Sequence, residues 1–512
     1  MAQPATVSTT DTLDTNLPTF DILSPVSGQV VGNLPQMGRG QVEAVVARCR
    51  EAQAVWAALS FSQRARMLRD YRDLLVSRKE EIADVVISET GKTRVDIFAT
   101  ELFYICDGIG YWGRNAARLL ADRQVSTHLL KTKKAISTYK PRGVIGMITP
   151  WNFPLTLTIG EAIPALMAGN GVVIKPASAT PLCAELCCRL ADEAGLPEGL
   201  LATVTGRGGT GDTLIDFVDM VSFTGSVETG RKVQIRCAEQ LKPTTMELGG
   251  KDPAIVCADA NLDRAANGCV WGSMVNLGQV CMSIERVYAH EDIYDEFVDK
   301  VVNVVGQIRQ GQGEDADVGS IIHPPQRDIV EDQLDKARTA GATVLAGGAR
   351  PEMEGCWYQP TVLVDVNHDM EIMQEETFGP VIAIQKVKDD AEAIRLANDS
   401  RFGLSASVWS RDKEGATNIA RRIEAGAVCV NDHMIHMLIP EVPMGGIKES
   451  GIGRRNGEEG IRKFCSQQTI VIDRFGTNKE PIWYPAPKVL AGVLRKVLNL
   501  LYRSSWKNKL AS

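Results

Sequence analysis

Nowhere in the 512 residues does an uncharged apolar run reach the roughly 20 residues that a membrane-spanning helix needs. The opening stretch Met1–Thr19 is polar and has neither the basic start nor the apolar core of a signal peptide, so a cytoplasmic protein is expected. Positive charge is also in deficit. Lys and Arg number 56 against 63 Asp and Glu, a net charge of -7, which argues against nucleic acid as a standing partner. The twelve cysteines are scattered singly apart from Cys187-Cys188, with no CxxC pair and no disulfide-like framework. Such usage fits reduced thiols, most of them small buried hydrophobes. Six histidines show no metal spacing. His433 and His436 have Asp432 and Glu441 nearby but complete no ligand pattern, so no metal is expected and the pair is assigned to a substrate-entrance loop.

What is present is ordinary globular material: 44% hydrophobic and 23% charged residues, enough chain for two large cores and an accessory element. Gln41 to Leu75 carries helical apolar spacing (Val45, Ala52, Trp56, Leu59), and a second helical stretch runs to about Leu120. From Gly143 the pattern changes. Short apolar runs at Val144–Thr149, Gly171–Lys175, Leu201–Thr205 and Met220–Phe223 alternate with helical segments, such as the face made by Leu182, Cys183, Leu186, Cys187 and Leu190. A second alternating series runs from Ala254–Val256 to Ala427–Val430. Alternation of this kind predicts parallel strands with crossover helices, hence two doubly wound α/β domains.

Two segments compete for phosphate. Gly206–Gly211 fits GxGxxG after a strand, but the acidic residue near the expected offset, Glu228, falls within a helical pattern, so a plain glycine turn explains the motif equally well. Phe223-Thr224-Gly225-Ser226 ends a strand and opens a helix, whose free N–H groups and dipole attract an anion. For covalent chemistry, Cys281 in Asn276-Leu277-Gly278-Gln279-Val280-Cys281 and Glu247 in Met246-Glu247-Leu248-Gly249-Gly250 supply a thiol and a carboxylate, each beside glycines that let backbone approach a ligand. A thiol can attack a carbonyl, and a carboxylate can activate the water that later releases the acyl group. Pro150-Trp151-Asn152-Phe153-Pro154 directly follows a strand, which puts the Asn152 amide at the carboxyl end of the sheet, where ligands bind.

Together these segments resemble the aldehyde dehydrogenase superfamily, over about Phe20 to Ile472. The resemblance implies that Cys281 is the nucleophile, that Asn152 and the Cys281 backbone N–H form the oxyanion hole, and that Glu247 activates the hydrolytic water. It places the cofactor pyrophosphate at Gly225 and Ser226, the adenosine ribose at Lys175, and Trp151, Asn152, Leu248, Glu376 and Phe378 at the rest of the dinucleotide. Ser178 stands where NAD-preferring relatives often carry Glu. Without that carboxylate a 2′-phosphate is not repelled, so NADP is favoured and NAD stays open. The pattern is most like the succinate-semialdehyde dehydrogenase branch, with one departure. Where that branch places an arginine for the substrate carboxylate, this chain has Val275, and Met282 follows the nucleophile. An uncharged aliphatic or aromatic aldehyde suits such a pocket, unless an arginine distant in sequence substitutes.

The resemblance also implies a cofactor domain over 20–246, a catalytic domain over 247–449, and a small β element, 124–140 with 462–475, that pairs subunits into a homodimer or homotetramer. Residues 476–512 form a basic tail. Its pairs Val489-Leu490, Val493-Leu494, Val497-Leu498 and Leu500-Leu501 make one apolar helical face among Lys488, Arg495, Lys496, Arg503, Lys507 and Lys509. Such a helix docks on its own oligomer or lies on an anionic membrane, and the first is the commoner fate of amphipathic faces. Two other activities compete with hydrolytic aldehyde oxidation. A CoA-acylating relative would commonly lack the Glu247 carboxylate, and a non-catalytic scaffold or membrane-surface binding protein would have no use for Cys281, Glu247 and Asn152 together.

Overall fold

The structure is a computed structural model and describes residues 17–503; the polar start before Leu17, and Lys507 and Lys509 of the tail, lie outside them. One compact unit comprises the chain up to Ala121 with Tyr139–Ser466, and a second comprises Asp122–Thr138 with the chain from Gln467 onward.

The first unit holds two doubly wound sheets. In the six-stranded sheet the spatial order is Leu201–Thr203, Gly171–Lys175, Val144–Ile148, Met220–Thr224, Thr244–Glu247 and Gly451–Ile452, all parallel except the last. Its central strands are buried on both sides, which is why their sequences read as continuous apolar runs. Successive side chains still alternate. Ile145, Met147, Val172 and Ile174 enter one core with Trp56, whereas Val144, Val173, Val221 and Phe223 enter the opposite core with Val42 and Leu214. Strand order reverses beside Val144–Ile148, so the crevice beyond the carboxyl ends of this strand and Met220–Thr224 is the expected ligand site.

The seven-stranded sheet runs Thr343–Ala346, Thr361–Val364, Val381–Val387, Ile284–His290, Asp252–Val256, Ser405–Trp409, Ala427–Val430, with only the first strand antiparallel. Again two cores form: Ile255, Tyr288, Leu363 and Val408 face one, Ala254, Val256, Val287 and Trp409 the other. Only four residues, Leu248–Lys251, separate the last parallel strand of the first sheet from the first strand of the second.

Two features differ from the sequence reading. The predicted helical stretch over 41–75 is two helices, Arg39–Ala58 and Phe61–Ser77, because Ser60 turns extended and caps the second through Gln63. An unforeseen antiparallel hairpin, Thr19–Leu23 with Val30–Pro35, precedes them. A three-stranded sheet joins Arg123–Val125, Lys133–Pro141 and Cys465–Asp473, most of it within the second unit, and the helix Leu490–Tyr502 follows. Among the described residues no helix is long and apolar enough to cross a membrane.

Candidate active site

Five loops build the site, each held by a specific backbone device. The Pro150–Phe153 loop leaves the carboxyl end of the central strand, and the turn after it is fixed by Glu101, whose Oε2 accepts from the amides of Leu155 (2.7 Å) and Thr156 (3.3 Å). Glu101 is itself neutralised by the buried Lys92 ammonium at 2.7 Å, and that ammonium sits 3.8 Å from the centre of the Phe153 ring. Gly225 and Ser226 follow the next strand, with the Gly225 amide donating to the Glu247 carbonyl (3.1 Å) and Ser226 capping the helix Val227–Glu239.

Glu247 ends its strand, and Leu248 begins the connection between the sheets. Gly250 closes it, and a Cβ there would lie 2.3 Å from the Cys281 carbonyl oxygen, so only glycine fits. The loop before Cys281 is wound tightly: Asn276, Leu277 and Gly278 have φ of 50°, 54° and 71°. For the two non-glycine residues this left-handed conformation costs on the order of 1–3 kcal/mol each. Side chains hold it. The Asn276 amide donates to the Asn152 carbonyl (3.0 Å), and Gln279 donates to the carbonyls of Asn276 (2.9 Å) and Ser320 (3.2 Å). Asn152 Nδ2 donates to the Gln279 carbonyl at 2.9 Å; an amide nitrogen has two hydrogens, so one anchors the side chain and one remains for a ligand. The fifth loop carries Glu376 and Phe378. Buried Glu285 accepts from the amides of Thr377 (2.7 Å) and Phe378 (2.8 Å) while paired with Lys251 at 2.6 Å.

The result is a cavity of about 270 Å³ lined by Cys281, Asn152 and Glu247 together with Trp151, Gly225 and Ser226. Leu248, Glu376 and Phe378 complete the same lining, and the Trp151 and Phe378 rings meet edge to face with centroids 5.4 Å apart. Of the catalytic and cofactor residues expected from sequence, two lie elsewhere. Lys175 is buried at the end of its strand, and Ser178 lines a separate cavity of about 570 Å³ with Arg207, His323, Arg327 and the hairpin residues Phe20–Ser24. Gly206–Gly211 contributes no lining to the catalytic cavity; it opens the helix Gly208–Phe217 and packs Gly211 near Lys175 and Ile148. Glu228 is exposed and pairs with Lys232 at 2.6 Å. His433 and His436 are buried: His433 Nε2 lies 2.6 Å from the Met282 carbonyl, and burial lowers both rings to about 4, so they are neutral near pH 7.

Electrostatics divide the labour. Burial raises the Glu247 carboxyl to about 7, with Arg455 and Lys463 opposing the rise, so it exchanges protons near neutral pH. Burial, with Glu376 adding to it, pushes the half-buried Cys281 thiol up to about 12, so it rests protonated and needs a base. Burial also raises Glu376 to about 8, helped by Glu285, and lowers Lys175 to about 8. Sequence reasoning missed the charged group behind Glu247. Glu161 is 3.3 Å from Arg455 Nε and also pairs with Lys463, while Arg455 reaches Thr224. Burial pushes Glu161 up, but Lys463 and Arg455 more than offset it. A motif cannot flag such residues, because their sequence neighbours say nothing about burial.

A dinucleotide fits these residues. The capped helix N-terminus at Ser226 offers free amides to an anion, and Lys175 is a buried cation lowered by burial.

A family model described as "Aldehyde dehydrogenase family" matches residues 13–470. A protein of Mycobacterium ulcerans, "Putative succinate-semialdehyde dehydrogenase (NADP+) 2", is 40% identical over 94% of this chain and 95% of its own. A "4,4'-diapolycopene aldehyde oxidase" of a Methylomonas species is 35% identical over 91% of this chain and 88% of its own. Among solved structures, a Mycobacterium tuberculosis aldehyde dehydrogenase complexed with NAD+ superimposes with a TM-score of 0.87 at 35% identity, covering 91% of this chain and 97% of that one. With a thiol, an amide and a carboxylate on one cavity and the family model spanning both sheets, the chain belongs to the aldehyde dehydrogenase family.

Proposed function

We propose that this enzyme oxidises an uncharged, apolar aldehyde to the carboxylic acid, using NADP or NAD, through a thioester on Cys281. One observation carries the reading: Cys281, Asn152 and Glu247 line one cavity, and Cys281 also packs into an apolar cluster of Val275, Met282, Met434 and Met444. The Cys281 thiol releases its proton to water and the sulfur attacks the aldehyde carbon. The oxygen that becomes negative is held by the Asn152 amide and the Cys281 backbone N–H, each donor worth about 10²–10³ in rate. A nicotinamide held beside Leu248, Glu376 and Phe378 would supply the acceptor for the hydride that leaves the thiohemiacetal carbon, and a thioester remains on Cys281. Glu247 then takes a proton from water, the hydroxide attacks the thioester carbon, and the carboxylic acid leaves with the thiol restored. The Glu247 carboxylate makes water, rather than CoA, the acyl acceptor.

In this reading 20–246 is the cofactor domain and 247–449 the catalytic domain, while 124–140 and 462–475 join subunits of a cytoplasmic homodimer or homotetramer. Gly225 and Ser226 receive the pyrophosphate, Lys175 and Ser178 the adenosine ribose, and Leu248, Glu376 and Phe378 the nicotinamide riboside. Arg207 shares the Ser178 cavity and supplies a cation for a 2′-phosphate. Ser178→Glu is therefore expected to raise the KM for NADP at least about tenfold while changing that for NAD little, because a carboxylate then faces the phosphate. Steady-state kinetics with both nucleotides read the result, and equal losses would move Ser178 away from that ribose.

Succinate semialdehyde is the second reading, favoured by the names of the mycobacterial relatives. The two part at Val275, which is buried in the apolar cluster. Uncharged aldehydes are expected to show the higher kcat/KM, and Val275→Arg to improve succinate semialdehyde by about 1.5–3 kcal/mol through a charge-assisted hydrogen bond. An aldehyde panel followed by reduced-nicotinamide absorbance decides it. Wild-type preference for succinate semialdehyde would reject the apolar assignment.

A further inference from the structure

The helix Leu490–Tyr502 has no buried residue. Val493, Leu494, Val497 and Leu498 remain 40–59% exposed. At about 100° per residue, Leu490, Val493, Leu494, Val497 and Leu501 fall on one side of the helix, and Arg495, Lys496 and Asn499 on the other. Just before it, Ile482, Trp483 and Tyr484 are exposed as well. From Pro481 to the end of the chain there is no Asp or Glu, although the whole protein has a net charge of -7; the only ionic side chains are Lys488, Arg495, Lys496, Arg503, Lys507 and Lys509.

That charge pattern selects the occupant of the apolar face. A helix docked on a second copy turns its polar side to water, where uniform positive charge repels itself and stabilises nothing. Against anionic lipid headgroups every one of these cations is favourable, and Trp and Tyr settle at the headgroup level. Thirteen helical residues span about 20 Å, too short to cross a bilayer and suited to lying in its surface. We propose that the segment from Pro481 onward is a peripheral membrane anchor, its Val493-Leu494-Val497 face in the acyl boundary of an anionic leaflet. The proposal is independent of the active-site reading.

Co-sedimentation of the full-length enzyme with vesicles tests it. Most of the protein is expected to pellet with phosphatidylglycerol–phosphatidylcholine vesicles and little with phosphatidylcholine alone, with binding falling as salt is raised. Arg495→Glu/Lys496→Glu and, separately, Leu494→Glu/Leu498→Glu are each expected to weaken anionic-vesicle binding at least about tenfold. Oxidation of a small water-soluble aldehyde and the mass by light scattering should stay at wild-type values. No binding of wild type to anionic vesicles, or equal binding to both vesicle types, overturns the anchor. So does a change in oligomer mass in either variant with vesicle binding unaltered, which would dock the helix on a second copy.

Discussion

Cys281→Ala is expected to lose aldehyde oxidation by on the order of 10⁴-fold or more, because it removes the atom that carries the acyl group rather than weakening a contact. Binding of NADP or NAD, measured by titration calorimetry, is expected to persist, since Gly225, Ser226, Lys175 and Ser178 belong to other segments than the Cys281 loop. The substitution shortens a half-buried side chain by one sulfur in an apolar cluster, so the fold should tolerate it. Substantial turnover by the variant would reject Cys281 as nucleophile.

Glu247→Gln should separate the two halves of the reaction. The amide keeps the shape but cannot take a proton from water, so a burst of reduced cofactor followed by a steady state about 10²–10⁴-fold slower is expected in rapid mixing. Wild-type deacylation is expected to fall as pH drops through about 7, because the working form is the carboxylate and burial holds its pKa there. The variant should lose that pH dependence. Slow hydride transfer with no burst would instead make thiol activation the main task of Glu247, which the high pKa of Cys281 gives a physical basis.

Much of the site was legible because its chemistry demands glycines beside reactive groups. Gly250 lies against the Cys281 carbonyl, and a Cβ on Gly278 would meet the Gly379 carbonyl oxygen at 2.1 Å; the sequence shows both as motifs flanking Glu247 and Cys281. The fold was legible through its apolar runs, which burial on both sheet faces requires. What escaped depends on contacts remote in sequence. Arg455 and Lys463 meet Glu161 roughly 300 positions away, and the hairpin around Phe20–Ser24 reaches the cavity of Ser178 and Arg207. The burial of His433 and His436 escaped for the same reason. His433 is held inward by the Met282 carbonyl, while Met434 beside it joins the apolar cluster of Cys281.

Phe153 bears on any attempt to redesign substrate scope. Its ring belongs to the apolar cluster around Cys281, which makes it an obvious position to truncate for a bulkier aldehyde. The same ring is the surface on which the buried Lys92 ammonium rests, and Lys92 neutralises the carboxylate that fixes the turn behind Asn152. Trimming Phe153 would thus uncover a buried charge and loosen the loop that carries Asn152, the proposed oxyanion donor. Libraries aimed at a roomier pocket should spare this aromatic ring and vary Val275, Met282 or Met434, whose apolar atoms carry no such electrostatic duty.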